Sequence, residues 1–204
     1  MAKFQIIFLS FVLSILSPLI SKAQQQKTAS KTISIFTDNS GKYLYRAKIN
    51  YKDKVLSGML IIRKSDGNTY RVAMVTEMGM KIFEMEFFPN KTEPFILHSC
   101  IKYLNKSIII NTLRRDFESL FLNFANWKNA KIVNTKNGKT YRYNYEGKRD
   151  YFCNNYGDVS KIIRRKWFVK QEIIFIENIK NPYPKTISIE HQHSRLSIQL
   201  HFIK

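Results

Sequence analysis

Glu84 and Glu86 stand two residues apart in an alternating apolar run, so they share one strand face with about 7 Å between them. Carboxylates at that spacing work as acid and base in sugar hydrolysis, but the same positions suit solvent-facing acids paired with nearby lysines, and that is the reading adopted. His191 and His193 alternate on one strand face and His201 lies on the polar face of the next strand. A hairpin would bring the three imidazoles together as Zn²⁺ ligands. His98 is the only other histidine and no cysteine or fixed acid lies nearby, so they read as polar surface positions and no metal is expected. Lys161, Arg164, Arg165 and Lys166 cluster beside the turn into Trp167. They suit contact with an anionic membrane or other polyanion, with the indole at headgroup level, or else an ordinary basic strand packed through Ile162 and Ile163. Cys100 and Cys153 are far apart in sequence, which leaves one disulfide or two buried thiols open.

Beyond these groups the chain offers little to an enzyme. It has no G-x-S-x-G elbow, no H-E-x-x-H, no C-x-x-C and no glycine-rich phosphate loop, and its seven glycines fall almost entirely in turns. We therefore expect no catalysis and no cofactor.

Stepping along the chain, short strands alternate with turn signals from Lys42 onward. Lys42 to Tyr51, Lys54 to Lys64, Thr69 to Glu77 and Met80 to Phe88 make an antiparallel meander, with Pro94 to Cys100 as a fifth strand. Ile109, Leu113, Phe117, Leu120, Phe121 and Phe124 then recur at helical spacing, which predicts one amphipathic helix within Lys106 to Phe124, with Trp127-Lys128-Asn129 as its exit. Strands resume at Lys131 to Thr135, Thr140 to Tyr145, Arg149 to Cys153, Val159 to Arg165, Trp167 to Asn178, Lys185 to His191 and Arg195 to Ile203. Leu196, Ile198, Leu200 and Phe202 alternate with polar residues, as on a sheet with one wet face, whereas Leu56, Met59, Leu60, Ile61 and Ile62 put apolar side chains on both faces, as do Phe83, Met85 and Phe87 with Ile82 and Phe88 opposite. The fold class expected is mainly β: a large curved antiparallel sheet, or open β-barrel, lidded by one main helix.

The first 23 residues have their own pattern. Lys3 gives a positive start, Phe4 to Leu16 is nearly unbroken apolar sequence, and Ser21-Lys22-Ala23 offers small residues at the cleavage positions. This reads as a secretory signal peptide. A polar tail from Gln24 to Gly41 and a single β-rich domain from Lys42 to Lys204 follow. The whole chain has 34 Lys and Arg against 15 Asp and Glu, a net +19 that becomes +17 once Lys3 and Lys22 are removed. Outside the cytoplasm nucleic acid is a poor partner for such a charge, and anionic lipid headgroups or wall polymers are better ones. No cysteine ends the apolar run, so the mature chain is expected in the periplasm, soluble, without a lipid anchor, and a monomer.

Three segments carry a family resemblance: Ser57-Gly58-Met59-Leu60-Ile61-Ile62, Tyr70-Arg71-Val72, and Thr76-Glu77-Met78-Gly79-Met80-Lys81-Ile82-Phe83-Glu84-Met85-Glu86. They resemble the first sheet half of the periplasmic lipoprotein carriers and outer-membrane lipoprotein receptors, the LolA/LolB-like superfamily, and Pro184 to Ile203 resembles that fold's closing strands. The resemblance implies an incomplete antiparallel barrel whose apolar cavity holds acyl chains. It departs from the family in having one clear helix, with no residue matching a cavity arginine or a protruding membrane loop. Met59, Ile61, Met74, Met85, Leu113 and Phe117 are the side chains expected to line such a cavity, since unbranched methionine repacks easily around acyl chains.

Two functions follow as expectations. One is a non-catalytic periplasmic carrier or binding protein for a lipid or acylated protein; the other is an envelope interaction module with a solid core and a basic docking face. If the basic cluster meets a membrane, reversing Arg164 and Arg165 should leave the fold intact and weaken liposome binding more than tenfold. Processing predicts a mature N-terminus at Gln24, to be checked by intact-mass measurement of the exported protein; a retained residue 1–23 segment would overturn it.

Overall fold

The computed structural model describes residues 35–36, 41–65, 69–88, 95–121, 130–144, 146–167, 169–177 and 183–204. The expected signal peptide, most of the tail and the helix exit at Trp127 lie outside the described residues. Within the stretch expected as a polar tail, Ile35 and Phe36 belong to the core, and the Phe36 ring packs 4.9 Å from Tyr43 and 5.8 Å from Phe121.

Five strands come first: β1 (Lys42–Tyr51), β2 (Lys54–Ser65), β3 (Thr69–Val75), β4 (Lys81–Phe87) and β5 (Phe95–Cys100). Helix α1 (Ser107–Phe121) follows. The remaining strands are β6 (Lys131–Thr135), β7 (Gly138–Asn144), β8 (Lys148–Cys153), β9 (Val159–Lys166), β10 (Val169–Glu177), β11 (Thr186–His191) and β12 (Leu196–Phe202). All belong to one sheet in the order β5-β4-β3-β2-β1-β12-β11-β10-β9-β8-β7-β6, with antiparallel pairing throughout. β1 and β12 join the two meanders, while β5 and β6 remain as edges, so the sheet is not closed.

Helix α1 shows that this sheet curves. Its Phe117 ring lies 6.1 Å from Phe83 on β4, and its Ser119 carbonyl accepts a 3.4 Å hydrogen bond from the Tyr151 hydroxyl on β8. Those strands are eight places apart in the order, which in a flat sheet is about 38 Å, well beyond the width of one helix. The sheet must wrap around α1. Side chains alternate accordingly: Leu60 and Ile62, Val72 and Met74, Ile187 and Ile189, and Ile198 and Leu200 face inward, and all are fully buried.

Local breaks in register adjust this alternation. Between Met74 and Val75 of β3, the facing strand slips by one residue at Ile82, which lets Ile82 and Phe83 both be buried. Gly58 lies where β2 passes close to the end of β3: a Cβ there would sit 2.0 Å from the Val75 carbonyl oxygen, so only glycine fits without backbone movement. Cys100 and Cys153 are free thiols, half-buried on β5 and buried on β8. Among the described residues no helix is long and apolar enough to cross a membrane.

Phe117 is fully buried between helix and sheet, whereas Ile108 on the same helix is 76 % exposed. Phe117→Ala should therefore lower unfolding stability by about 3–5 kcal/mol, and Ile108→Ala by no more than about 0.5 kcal/mol, measured by urea titration. Equal effects would mean that α1 does not pack on the sheet through this face.

Candidate functional site

The six side chains expected to line an acyl cavity separate into two sets. Met74, Met85, Leu113 and Phe117 are fully buried and form the packing between α1 and the first meander. Met59 and Ile61 alternate with inward-facing Leu60 and Ile62, so they lie on the opposite, outer face. The parity of the strand decides this: neighbouring residues cannot share a face. Glu84 and Glu86 are also outside the helix-covered layer. Glu84 pairs with Arg71, through a 2.6 Å hydrogen bond, and with Lys81; Glu86 lies 2.8 Å from His98. Hydrogen bonds from Lys81 and Arg71 hold the Glu84 carboxyl below its ordinary range against the opposing effect of burial.

The basic cluster splits in the same manner. Arg164 is buried, and its Nε donates a 2.7 Å hydrogen bond to Glu172 Oε2, while Arg165 turns outward to pair with Asp150. Lys161 lies over the Phe175 ring, 4.9 Å from its centroid. Trp167 is 83 % exposed in the β9–β10 turn, at a positive φ of 51°. Arg164 and Arg165 thus serve internal ion pairs, and reversing them would unmake structure as well as surface charge, contrary to the expectation that the fold would survive.

The residues that do converge lie where α1 meets β8 to β11. Asp116 on α1, Glu172 on β10 and His191 on β11 present ligand-type atoms within 4.8 Å of one another, and both acids are fully buried. His191 Nδ1 donates to the Leu196 carbonyl at 2.9 Å, and Nε2 lies 2.9 Å from Asp116 Oδ1. The second oxygens, Asp116 Oδ2 and Glu172 Oε1, are buried without a hydrogen-bond partner. Two residues along the helix, Glu118 accepts from Arg114 at 2.7 Å, and the fully buried Arg149 donates to Ser119 Oγ at 3.2 Å.

Burial and the nearby Asp116 charge push the Glu172 carboxyl up to about 7, even with Arg164 beside it. For His191 burial works against the charged form, but the Asp116 charge and hydrogen bond outweigh it and bring the imidazole to about 9. The two shifts run in one direction: Glu172 is driven toward its neutral form and His191 toward its charged form.

A break in register at Gln171, between Lys170 and Glu172, accompanies the inward placement of Glu172 opposite Arg164. Gln171 and Arg164 line a rim cavity of about 500 Å³ with Ile108, Thr112, Arg115, Glu146, Lys166, His191, His193 and Ser194. The turns carrying Glu146, Trp167 and His193 lie at one end of the sheet because the antiparallel strands return there. Five of the lining residues are Arg, Lys or His, but Arg115 pairs with Glu146, Arg164 with Glu172 and His191 with Asp116, so Lys166 and His193 are the basic side chains the cavity offers to an anionic group. The three imidazoles weighed as a zinc set do not meet: His191 faces inward, His193 lines the cavity from the turn, and His201 is exposed on β12.

Sequence reasoning passed over Asp116, Glu118, Arg149 and Glu172. Glu172 alternates with Ile174 and Ile176, and Arg149 with Tyr151 and Cys153, so each is a charge in phase with buried residues. That phase was the available signal.

No protein-family profile matches the chain, and neither does any curated protein. Solved structures similar to it include a LolA superfamily protein from Nitrosomonas europaea, with TM-score 0.48 and 11 % identity, covering 83 % of this chain and 87 % of that one. A DUF1329 family protein from Desulfovibrio piger gives TM-score 0.43 at 10 % identity over 82 % and 86 % of the two chains. A domain described as an outer membrane lipoprotein-sorting protein, from Vibrio parahaemolyticus, gives 0.43 at 8 % identity over 89 % and 88 %.

Arg164→Glu removes the partner of buried Glu172 and sets a second carboxylate against it. The expected cost is about 3–5 kcal/mol of stability, read by urea titration, whereas Lys166→Glu on the exposed end of β9 should cost under about 1 kcal/mol. A stable Arg164→Glu protein would show that the pair is dispensable.

Proposed function

We propose that this chain is a non-catalytic binding protein of the cell envelope, and that its ligand is an acylated molecule with an anionic head. The rim cavity carries the reading: about 500 Å³ lies within the range of small-molecule sites, and its lining offers Lys166 and His193 beside the ion-paired Arg115, Arg164 and His191. Apolar side chains stand beside it. Ile108 belongs to the lining and is 76 % exposed, while Trp167 follows Lys166 directly and is 83 % exposed. A head seated among the basic groups leaves its acyl chain free to lie along Ile108 and Trp167, where each methylene removed from water contributes about 0.8 kcal/mol. The ligand is placed at the rim and not beneath the helix, because Met74, Met85, Leu113 and Phe117 already fill that space. Export by a signal peptide and action in the periplasm are part of the same proposal.

That filled space also favours a second reading, in which the basic rim docks on an anionic surface and takes no ligand. One titration separates them. Purified protein is mixed with lysophosphatidylglycerol, with lysophosphatidylcholine as the zwitterionic control, and binding is followed by Trp fluorescence and native mass spectrometry. The carrier reading expects saturable 1:1 binding of the anionic lipid, at least tenfold tighter than the control. Lys166→Glu changes the local charge by two, worth about 2 kcal/mol near such a head, and should weaken binding more than tenfold. Sedimentation with anionic vesicles, but no saturable lysolipid binding, would establish the docking reading instead; no effect of Lys166→Glu would remove the rim cavity from either.

A further inference from the structure

We infer that Asp116, Glu172 and His191 form a binding site for a divalent transition-metal ion, with Zn²⁺ as the ion of choice for a test. The inference stands on the triad's own geometry and does not rest on the amphiphile reading.

Three observations carry it. The first is convergence: Glu172 and His191 face each other in register on the adjacent strands β10 and β11, and Asp116 on the distant α1 completes a set of two carboxylate oxygens and an imidazole nitrogen within 4.8 Å of one another. Ligands bonded to one ion at about 2.1 Å stand roughly 3.4 Å apart in a tetrahedral site, so a closing movement of little more than about 1 Å completes it. The second is orientation. The Leu196 carbonyl accepts the Nδ1 proton at 2.9 Å, which fixes the ring's direction as in metal-bound histidines; Nε2, 2.9 Å from Asp116 Oδ1, coordinates once the ion displaces its proton to water. The third is unmet bonding capacity. Asp116 and Glu172 are fully buried, yet each has one oxygen, Oδ2 and Oε1, without a hydrogen-bond partner among the described residues. A buried carboxylate oxygen left unpaired costs free energy that a coordinated cation would recover.

The donor set narrows the ion. One imidazole with two carboxylates suits Zn²⁺, Mn²⁺ or Fe²⁺, whereas Ca²⁺ takes six to eight oxygen ligands and Mg²⁺ keeps most of its waters. Neither thiol belongs to the triad. Arg164, bonded to Glu172 Oε2, would act as an outer-shell partner that orients that carboxylate. His191 lines the rim cavity, which gives an ion its way in and leaves a coordination position open toward it.

The test uses the full folded protein, dialysed against chelator and titrated with Zn²⁺ alone by calorimetry. One site per chain is expected, with a rise in melting temperature that EDTA reverses and that Mg²⁺ or Ca²⁺ at the same concentration does not produce. His191→Gln and Glu172→Gln should each weaken binding at least tenfold, while His201→Gln, on an exposed position outside the triad, leaves it unchanged. Should either triad variant fail to fold, zinc-edge X-ray absorption of the unmodified protein decides: a shell of nitrogen and oxygen only, with scattering from one imidazole, supports the site. No binding at micromolar zinc, sulfur in the shell, or affinity that survives in folded Glu172→Gln and falls in His201→Gln overturns it.

Discussion

A single 15-residue helix serves as the inner layer of a twelve-stranded sheet, and the rest of the molecule is arranged around that constraint. An antiparallel sheet with an apolar inner face must cover it, and α1 is the one helix among the described residues. The sheet therefore curls until strands eight places apart both touch the helix. Leu113, Phe117, Leu120 and Phe121 each bury their side chains in the process, which contributes about 1.5–3 kcal/mol apiece. Aromatic geometry gives the contact a definite shape. Tyr70 stacks on Phe121 at 4.2 Å and 3°, and Phe87 meets both Phe117 and Phe121.

Because the sheet surrounds it, α1 is buried on two sides, and the sides differ chemically. One carries the aromatic residues toward β3 and β4; the other carries Asp116, Glu118 and Ser119 toward β8 to β11. Buried charges are expensive unless paired, and here the helix acids find partners on separate strands, Arg149 on β8 for Glu118 and His191 on β11 for Asp116, while Arg164 on β9 and Glu172 on β10 pair with each other. Any rotation of the helix about its axis would strand these groups against aromatic rings. The ion pairs thus fix the helix's orientation more than they add stability, and the apolar contacts supply the energy.

This division explains why the candidate site lies at the rim. On the aromatic side Leu113, Phe117 and Phe121 are buried against the sheet. On the charged side, at the N-terminal end of α1, long polar side chains pack less completely and leave the cavity between the helix and the turns of β7–β8, β9–β10 and β11–β12. In the same corner burial and the like charge of Asp116 raise Glu172, while the opposite charge of Asp116 raises His191 against its burial.

Strand positions, the one helix and the open β class were legible in the sequence, because a period of two or 3.6 in apolar residues is a local property set by backbone geometry. The alternation through Leu196, Ile198 and Leu200 and the spacing of Leu113, Phe117 and Phe121 sufficed for that. What alternation cannot give is the identity of the opposing face. Met59 and Ile61 look as suitable as Leu60 and Ile62 in the sequence, and only the register with β1 and β3 assigns them to opposite sides. The same holds for the site. Asp116, Glu172 and His191 are separated by 56 and 19 residues and share no motif. They meet because α1 lies across strands that the meander returns to it, so the tertiary fold alone decided which charges are buried, which of them pair and where they leave a cavity.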